Sequence, residues 1–207
     1  MPLPPVLRKL FFIVLTLVFC GGAQAQGVSS AGGAVLTTPQ SRTELLAHAP
    51  EGVSPGQPVW VGLQIQHQEH WHSYWKNPGD SGLPTELAWT LPPGVQAGDI
   101  AWPVPKKLPV GPLVNYGYEG TLLLAVPLTI TPDFKPPLLG QDLTVKLRAS
   151  WLICKTECIP EEGEYTLRIP LKSSTALNGA TFEAARQAQP RALDTDRNSR
   201  VQIEGQT

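Results

Sequence analysis

Proline is the residue type that most restricts what this chain can fold into. The 207 residues include 22 prolines and 19 glycines, and this proline share is about twice the usual ~5%. A proline inside a helix costs about 3 kcal/mol, because it removes a backbone hydrogen bond and clashes with the preceding turn. A helical bundle is therefore excluded, and short strands joined by turns are favoured.

The composition also excludes classes of partner. Apolar residues make up 42% of the chain and charged residues 16%, so the chain can bury a core and is not expected to be disordered. Its 16 basic and 17 acidic residues leave a net charge of −1. This balance offers no basic surface to a polyanion, and we expect no nucleic-acid partner.

The first 25 residues have the pattern of a secretory signal peptide. Arg8 and Lys9 form a positive start, residues 10–19 are almost wholly apolar, and Ala23-Gln24-Ala25 offers a cleavage site between small residues. The apolar run is too short for a permanent membrane anchor. The pattern predicts export to the periplasm, with a membrane tether if the chain is a piece of a longer protein.

Alternation of apolar and polar residues predicts strands along the middle of the chain. Such patterns, separated by turn signals rich in proline and glycine, are typical of an immunoglobulin-like antiparallel β-sandwich, and the fold class is all-β. The clearest alternation lies at 59–66, 143–151 and 164–169, with weaker candidates at 44–47, 71–75, 86–90 and 121–130. Turns are predicted at 54–56, 77–80, 92–94 and 136–137.

The composition shifts at both ends of this region. Residues 26–40 are rich in glycine, serine and threonine, and are predicted to form a flexible leader. The sandwich domain is predicted over 41–172. Residues 173–207 are expected to hold a helix near 181–188 and a polar tail, whose end resembles the truncated start of a further domain.

Removal of the signal peptide leaves two cysteines, Cys154 and Cys158, in a compartment where a disulfide can persist. In one extended strand they would lie about 13 Å apart at ~3.3 Å per residue, beyond the roughly 7 Å between Cα atoms that a disulfide tolerates. If they pair, residues 155–157 must form the tip of a hairpin. The bond would close a small ring and contribute only about 2 kcal/mol.

The spacing alone leaves three interpretations of the cysteine pair open. The bond opens and closes in redox chemistry, it is a short structural staple, or the two thiols bind a metal. The pair is not separated by two residues and no alternation of strands and helices surrounds it, so a thioredoxin domain is excluded.

A histidine-rich segment precedes a run of turn residues. His67, His70 and His72 could join the two cysteines in a copper or zinc site. None of the usual zinc spacings is present. Hydrogen-bonded or solvated histidines at a strand end are therefore favoured, and neither a metal nor another cofactor is predicted.

Five stretches of sequence are distinctive in combination. They are HWHSYWKNPGDSGLP at 70–84, WPVP at 102–105, NYGYEG at 115–120, SWLIC at 150–154 and CIPEE at 158–162. Together they resemble the N-terminal periplasmic domains of DsbD-type thiol:disulfide interchange proteins, a family that includes the copper-sensitivity-suppressor branch. The resemblance covers about residues 41–172.

This resemblance implies an immunoglobulin-like fold and a thiol:disulfide oxidoreductase. Electrons would come from a thioredoxin-like domain, fed by a membrane-embedded domain, and pass to oxidised periplasmic proteins, in processes such as cytochrome c biogenesis and copper tolerance. Cys158 would exchange with partners and Cys154 would resolve the mixed disulfide. Residues 113–118 match the family's cap loop best. The residues expected to line or cap the pair are Tyr74, Trp75, Tyr116 and Tyr118.

Two other functions remain as alternatives. The first is a non-catalytic immunoglobulin-like binding module with a structural disulfide, and the second is a periplasmic copper-binding protein. The cysteine spacing is shorter here than in the best-known member of the family. The acidic residues Glu157, Glu161 and Glu162 outnumber Lys155 around the pair, so we expect no strongly activated thiolate.

Overall fold

The structure is a computed structural model and describes residues 33–138 and 140–191. The predicted signal peptide, the first part of the leader and most of the polar tail lie outside the described residues. The described part contains eleven strands and one helix: β1 Val35–Thr37, β2 Ser41–His48, β3 Val59–His67, β4 His72–Gly79, β5 Glu86–Thr90, β6 Val95–Ala97, β7 Lys106–Val110, β8 Leu113–Glu119, β9 Thr121–Ile130, β10 Asp142–Cys154, β11 Cys158–Pro170 and α1 Gly179–Gln187.

The strands form two antiparallel sheets. The first sheet has the order β1-β2-β3-β9-β6, and the second has the order β11-β10-β4-β8-β7 with β5 paired to β10. Apolar residues of both sheets meet in a shared core, including Leu63 and Ile65 from β3 and Trp151 and Ile153 from β10. Leu63, Ile65 and Trp151 belong to the alternating sets that predict the strands, and the all-β sandwich is confirmed.

The sequence does not predict strands β6, β7 and β8, and β11 begins at Cys158 and not near residue 164. Strands β1 and β4 also differ from the prediction. Within the expected leader, Val35–Thr37 forms β1 and pairs with β2. The chain folds back between the two strands in a turn, where the Ser41 amide donates a hydrogen bond to the Thr38 hydroxyl. Strand β4 continues through the turn signal at 77–79. Its pairing with β8 changes register between Tyr74 and Gly79, so an irregularity in the strand takes up the proline and the glycine.

The helix α1 packs against the outer face of the first sheet. Its buried residues Phe182 and Ala185 contact a cluster that includes Leu46, Leu123 and Ala125. The helical segment expected after residue 172 is thus packed against the sandwich. No helix in the described part of the chain is long and apolar enough to cross a membrane.

We expect Phe182→Ala to lower the free energy of unfolding by about 3 kcal/mol, because it removes a buried aromatic ring and leaves a cavity between α1 and the sheet. The exposed Gln187 on the same helix supplies the control, since Gln187→Ala should change stability by less than about 0.5 kcal/mol. Urea unfolding of both variants measures the difference. Equal losses would show that α1 contributes little through this contact.

Candidate redox site

The two cysteines end and begin the strands of one long hairpin. Cys154 is the last residue of β10, Cys158 is the first residue of β11, and they oppose each other directly in the strand pairing. They form a disulfide with their Cα atoms 4.1 Å apart. In the turn between them, the Lys155 amide donates a 3.0 Å hydrogen bond to the Glu157 carbonyl. The structure therefore contains the hairpin that a disulfide between these two cysteines requires.

The two sulfur-bearing residues differ strongly in exposure. Cys154 is 2% exposed, because β10 lies inside the sheet and the neighbouring β4 places His72 directly opposite it. Cys158 is exposed, because β11 is an edge strand of the same sheet. A partner that approaches the disulfide from solvent therefore meets Cys158 first.

Tyr74 connects the disulfide to a buried histidine. Its side chain is 2% exposed, and its hydroxyl oxygen lies 3.8 Å from the Cys158 Sγ atom and 3.3 Å from His72 Nε2. His72, which is 7% exposed, lies two residues earlier on β4 and therefore shares a face with Tyr74. The three side chains form a continuous polar chain, which we call the Cys158–Tyr74–His72 chain.

Burial keeps the two ring groups of this chain neutral. Loss of solvent lowers the pKa of His72 below its ordinary value, and the nearby Glu119 carboxylate only partly opposes this effect. Burial raises the pKa of the Tyr74 hydroxyl above its ordinary value. At neutral pH we therefore expect an uncharged imidazole next to a protonated phenol.

A loop covers the ring of Tyr74 from the solvent side. Gly82 lies in the left-handed region with φ +100°, and a Cβ atom at this position would overlap the Tyr74 ring. Two hydrogen bonds attach this loop, residues 80–84, to β8. The Val114 amide donates to the Asp80 carboxylate at 2.7 Å, and the Ser81 amide donates to the Asn115 side-chain oxygen at 3.0 Å. The turn residues of the NPGDSG stretch thus help to hold Tyr74 near the disulfide.

The structure places Tyr118, an expected lining residue, away from the disulfide. In the strand pairing, Tyr74 opposes Gly117 whereas Ser73 opposes Tyr118. Directly opposed residues share a face of the sheet, so Tyr118 and Tyr74 lie on opposite faces. Tyr118 is buried in the core and donates a 2.8 Å hydrogen bond to the Pro103 carbonyl. The expectation that Tyr118 caps the cysteines is corrected on this point.

The other two expected lining residues contact each other. Trp75 packs against the core cluster, and the ring of Tyr116 lies edge-on to it with the ring centroids 6.5 Å apart. Residues 113–118, the best match to a cap loop, form most of strand β8. Among the expected lining residues, Tyr74 contacts a cysteine sulfur atom.

Sequence reasoning considered His72 only as a metal ligand beside the cysteines, and it missed Gly82. The spacing of His72 and Tyr74 could have indicated that the two lie together, since residues two apart on a strand share a face. No sequence signal places Gly82 against the Tyr74 ring, because this contact depends on the path of the loop after β4.

The histidines do not assemble into a metal site. His67 bonds to the Gly120 carbonyl at 2.7 Å and to the Ser73 hydroxyl at 2.9 Å, whereas His70 is exposed. Within residues 33–138 and 140–191, no group of three or more His, Cys, Asp or Glu side chains is placed to hold a metal ion.

Two of the acidic residues near the pair have partners of their own. The Glu161 carboxylate accepts hydrogen bonds from Trp151 Nε1 and Ser41 Oγ, both at 2.9 Å. Glu162 forms a 3.0 Å ion pair with Arg148 on the exposed face of the hairpin. The negative charge of the hairpin is therefore partly compensated within the domain.

Comparison with known proteins agrees with this geometry. The family model described as "Thiol:disulfide interchange protein DsbD, N-terminal" matches residues 42–170. The chain belongs to this family. It is a thiol:disulfide interchange domain, and its Cys154–Cys158 disulfide is formed in the structure.

A solved structure shows the same fold. The N-terminal periplasmic domain of ScsB from Proteus mirabilis superposes with a TM-score of 0.55 at 20% sequence identity. The match covers 75% of this chain and 58% of the ScsB chain. No curated protein matches the sequence.

We expect Gly82→Ala to destabilise the domain by about 2 kcal/mol or more, because it adds a steric overlap with Tyr74 to the cost of left-handed backbone. Gly56 is a matched control, since it also has a positive φ, +81°, but has no atom within 4 Å of an added Cβ. Gly56→Ala should therefore cost only about 1 kcal/mol. Urea unfolding compares the two, and equal losses would contradict the close contact between Gly82 and Tyr74.

Proposed function

We propose that this domain is a periplasmic electron relay between proteins. It takes two electrons from a thioredoxin-like donor domain, which a membrane-embedded domain supplies, and passes them to oxidised periplasmic proteins. The observation that carries the proposal is the unequal exposure of the disulfide, with Cys158 open to solvent and Cys154 buried behind it. The predicted signal peptide and the periplasmic ScsB domain with the same fold support the location.

The domain becomes reduced by two thiol–disulfide exchanges. A thiolate of the donor attacks Cys158 Sγ, a bond forms between the two proteins, and the bond to Cys154 breaks. Cys154 leaves as a thiolate and takes up a proton. The donor's second thiolate then attacks the donor sulfur of the mixed disulfide, which releases Cys158 and leaves the donor oxidised by two electrons.

The reduced domain then passes both electrons on. The Cys158 thiolate attacks a disulfide of the acceptor protein, and one acceptor sulfur leaves as a thiolate that takes up a proton. Cys154, once deprotonated, attacks Cys158 and restores the domain disulfide. The second acceptor sulfur is released, so the acceptor has become a dithiol.

The hairpin favours the resolving step. Directly opposed positions with Cα atoms 4.1 Å apart keep the second sulfur next to the first after the bond opens, because the two strands stay paired from the cysteines back to Asp142 and Pro170. The attack of Cys154 is then intramolecular, and a well-oriented intramolecular reaction avoids the entropy cost of a second encounter.

The same strand pairing argues against a purely structural staple. The two strands are already paired along 13 residues of β10, so a disulfide next to the turn of the hairpin adds little further order. The small ring that it closes contributes about 2 kcal/mol on the chain-entropy model. This small contribution to stability favours a redox role for the disulfide over a structural one.

Single-cysteine variants test the relay. Reduced Cys154→Ala should react with a thioredoxin variant that carries one cysteine activated by thionitrobenzoate, and the mixed disulfide should persist because no second thiol resolves it. Cys158→Ala should form much less complex under the same conditions, since the remaining sulfur is buried. A non-reducing gel measures both complexes.

The outcomes separate the alternatives. Equal trapping by the two variants would contradict the assignment of Cys158 as the exchanging sulfur. If neither variant forms a complex and both lose about 2 kcal/mol of stability, the disulfide is a staple and the relay is refuted.

A further inference from the structure

The buried half of the Cys158–Tyr74–His72 chain has no task in the exchange steps described above. Tyr74 and His72 are almost fully buried, and each burial costs free energy unless its polar atoms are bonded. The two rings meet edge-on with centroids 5.3 Å apart, and the Tyr74 hydroxyl lies between the imidazole and the sulfur. An inference about this pair rests on the proposed relay function.

The Tyr74 hydroxyl has one proton and two neighbouring acceptors. In the oxidised domain these are a disulfide sulfur, which is a weak acceptor, and His72 Nε2, which accepts when the neutral imidazole carries its proton on Nδ1. In that tautomer the hydroxyl donates to His72 Nε2, at 3.3 Å. The contact with Cys158 Sγ, at 3.8 Å, is then the weaker of the two.

Reduction reverses this preference. A Cys158 thiolate carries a full negative charge, and hydrogen bonds to charged acceptors are roughly twice as strong as those between neutral groups. The hydroxyl then donates to the sulfur, and the Tyr74 oxygen becomes available to accept a hydrogen bond from a protonated His72. The chain can thus adopt two orientations, and the redox state of Cys158 selects between them.

We propose that His72 is a positioning residue that acts through Tyr74 and accepts the proton that leaves Cys158 when the nucleophilic thiolate forms. The S–H bond of Cys158 breaks as its proton passes to the Tyr74 oxygen, while the original Tyr74 proton passes to His72 Nε2. No electron moves in this step, and the phenol is regenerated. When the disulfide forms again, His72 returns its proton to solvent and the departing acceptor thiolate takes one up.

The charged groups around His72 favour its protonation only when the Cys158 thiolate is present. Glu119 on β8 opposes His72 directly and raises its pKa, whereas burial, the larger effect, lowers it. Lys106 on β7 lies 3.5 Å from Glu119 and reduces the influence of that carboxylate. On β3, the pKa of His67 is lowered mainly by burial and also by the nearby His72.

The remaining neighbours on β10 and β4 do not supply charge in the oxidised state. Cys154 opposes His72 in the strand pairing and is neutral in the disulfide. Tyr74 keeps its proton, because burial raises its pKa, so it transmits a proton and does not hold the charge itself. The Cys158 thiolate is then the negative charge whose appearance can shift the protonation of His72.

Proton NMR of the wild-type domain tests the inference without any variant. The imidazole Cε1–H signal of His72 is followed against pH in the oxidised and in the dithiothreitol-reduced protein. We expect the pKa of His72 to be higher in the reduced protein by about one unit, a tenfold change in its protonation equilibrium. His48 is the internal control, because its ring stacks on Phe182 of α1 and lies outside the Cys158–Tyr74–His72 chain.

A variant distinguishes the relay through Tyr74 from a direct effect of charge. In Tyr74→Phe the redox-dependent shift of His72 should largely disappear, since the hydroxyl that connects the two groups is absent. An equal His72 pKa in both redox states of the wild type, or an unchanged shift in Tyr74→Phe, would overturn the inference.

Reactivity of the thiol supplies a second readout. In reduced Cys154→Ala protein at pH 7, the rate of Cys158 alkylation by iodoacetamide should fall about tenfold on His72→Phe, the equivalent of a thiol pKa one unit higher. A merely structural His72 would change unfolding stability but leave the pH midpoint of alkylation in place. The trapping experiment is independent, so trapping with no His72 effect would refute this inference alone.

Discussion

The pairing of β10 with β11 is the constraint on which the rest of this site depends. It runs from Asp142 opposite Pro170 to Cys154 opposite Cys158 without a shift in register. A slip by one residue would turn a strand's side chains to the opposite face, and the two sulfur atoms would no longer meet. The core-facing residues of both strands therefore also determine that the disulfide can form.

The position of each strand in the sheet then makes the two cysteines unequal. Strand β10 has neighbours on both sides at its end, and β11 has one. Cys154 is buried for this reason and Cys158 is open to solvent. A symmetric covalent bond thus joins two sulfur atoms that differ in their access to solvent, and the proposed relay depends on this difference.

The two faces of the hairpin have separate roles. On the inner face, Glu161 joins Trp151 of β10 to Ser41 of the first sheet by two hydrogen bonds, which hold the hairpin to the first sheet three residues from the disulfide. On the outer face, Tyr74 approaches the disulfide and contacts His72. These contacts and the strand pairing hold the end of the hairpin independently of the disulfide.

Features that depend on local pattern can be predicted from the residues alone. Alternation with a period of two predicts the clearest strands of the sandwich, because side chains of a strand alternate between its faces, and the short spacing of Cys154 and Cys158 requires a turn if they pair. The contact of Tyr74 with the sulfur and the burial of Tyr118 in the core emerge only from the folded chain. The face that a strand residue occupies depends on the register with neighbouring strands, and the irregularity in β4 is set by contacts distant in sequence.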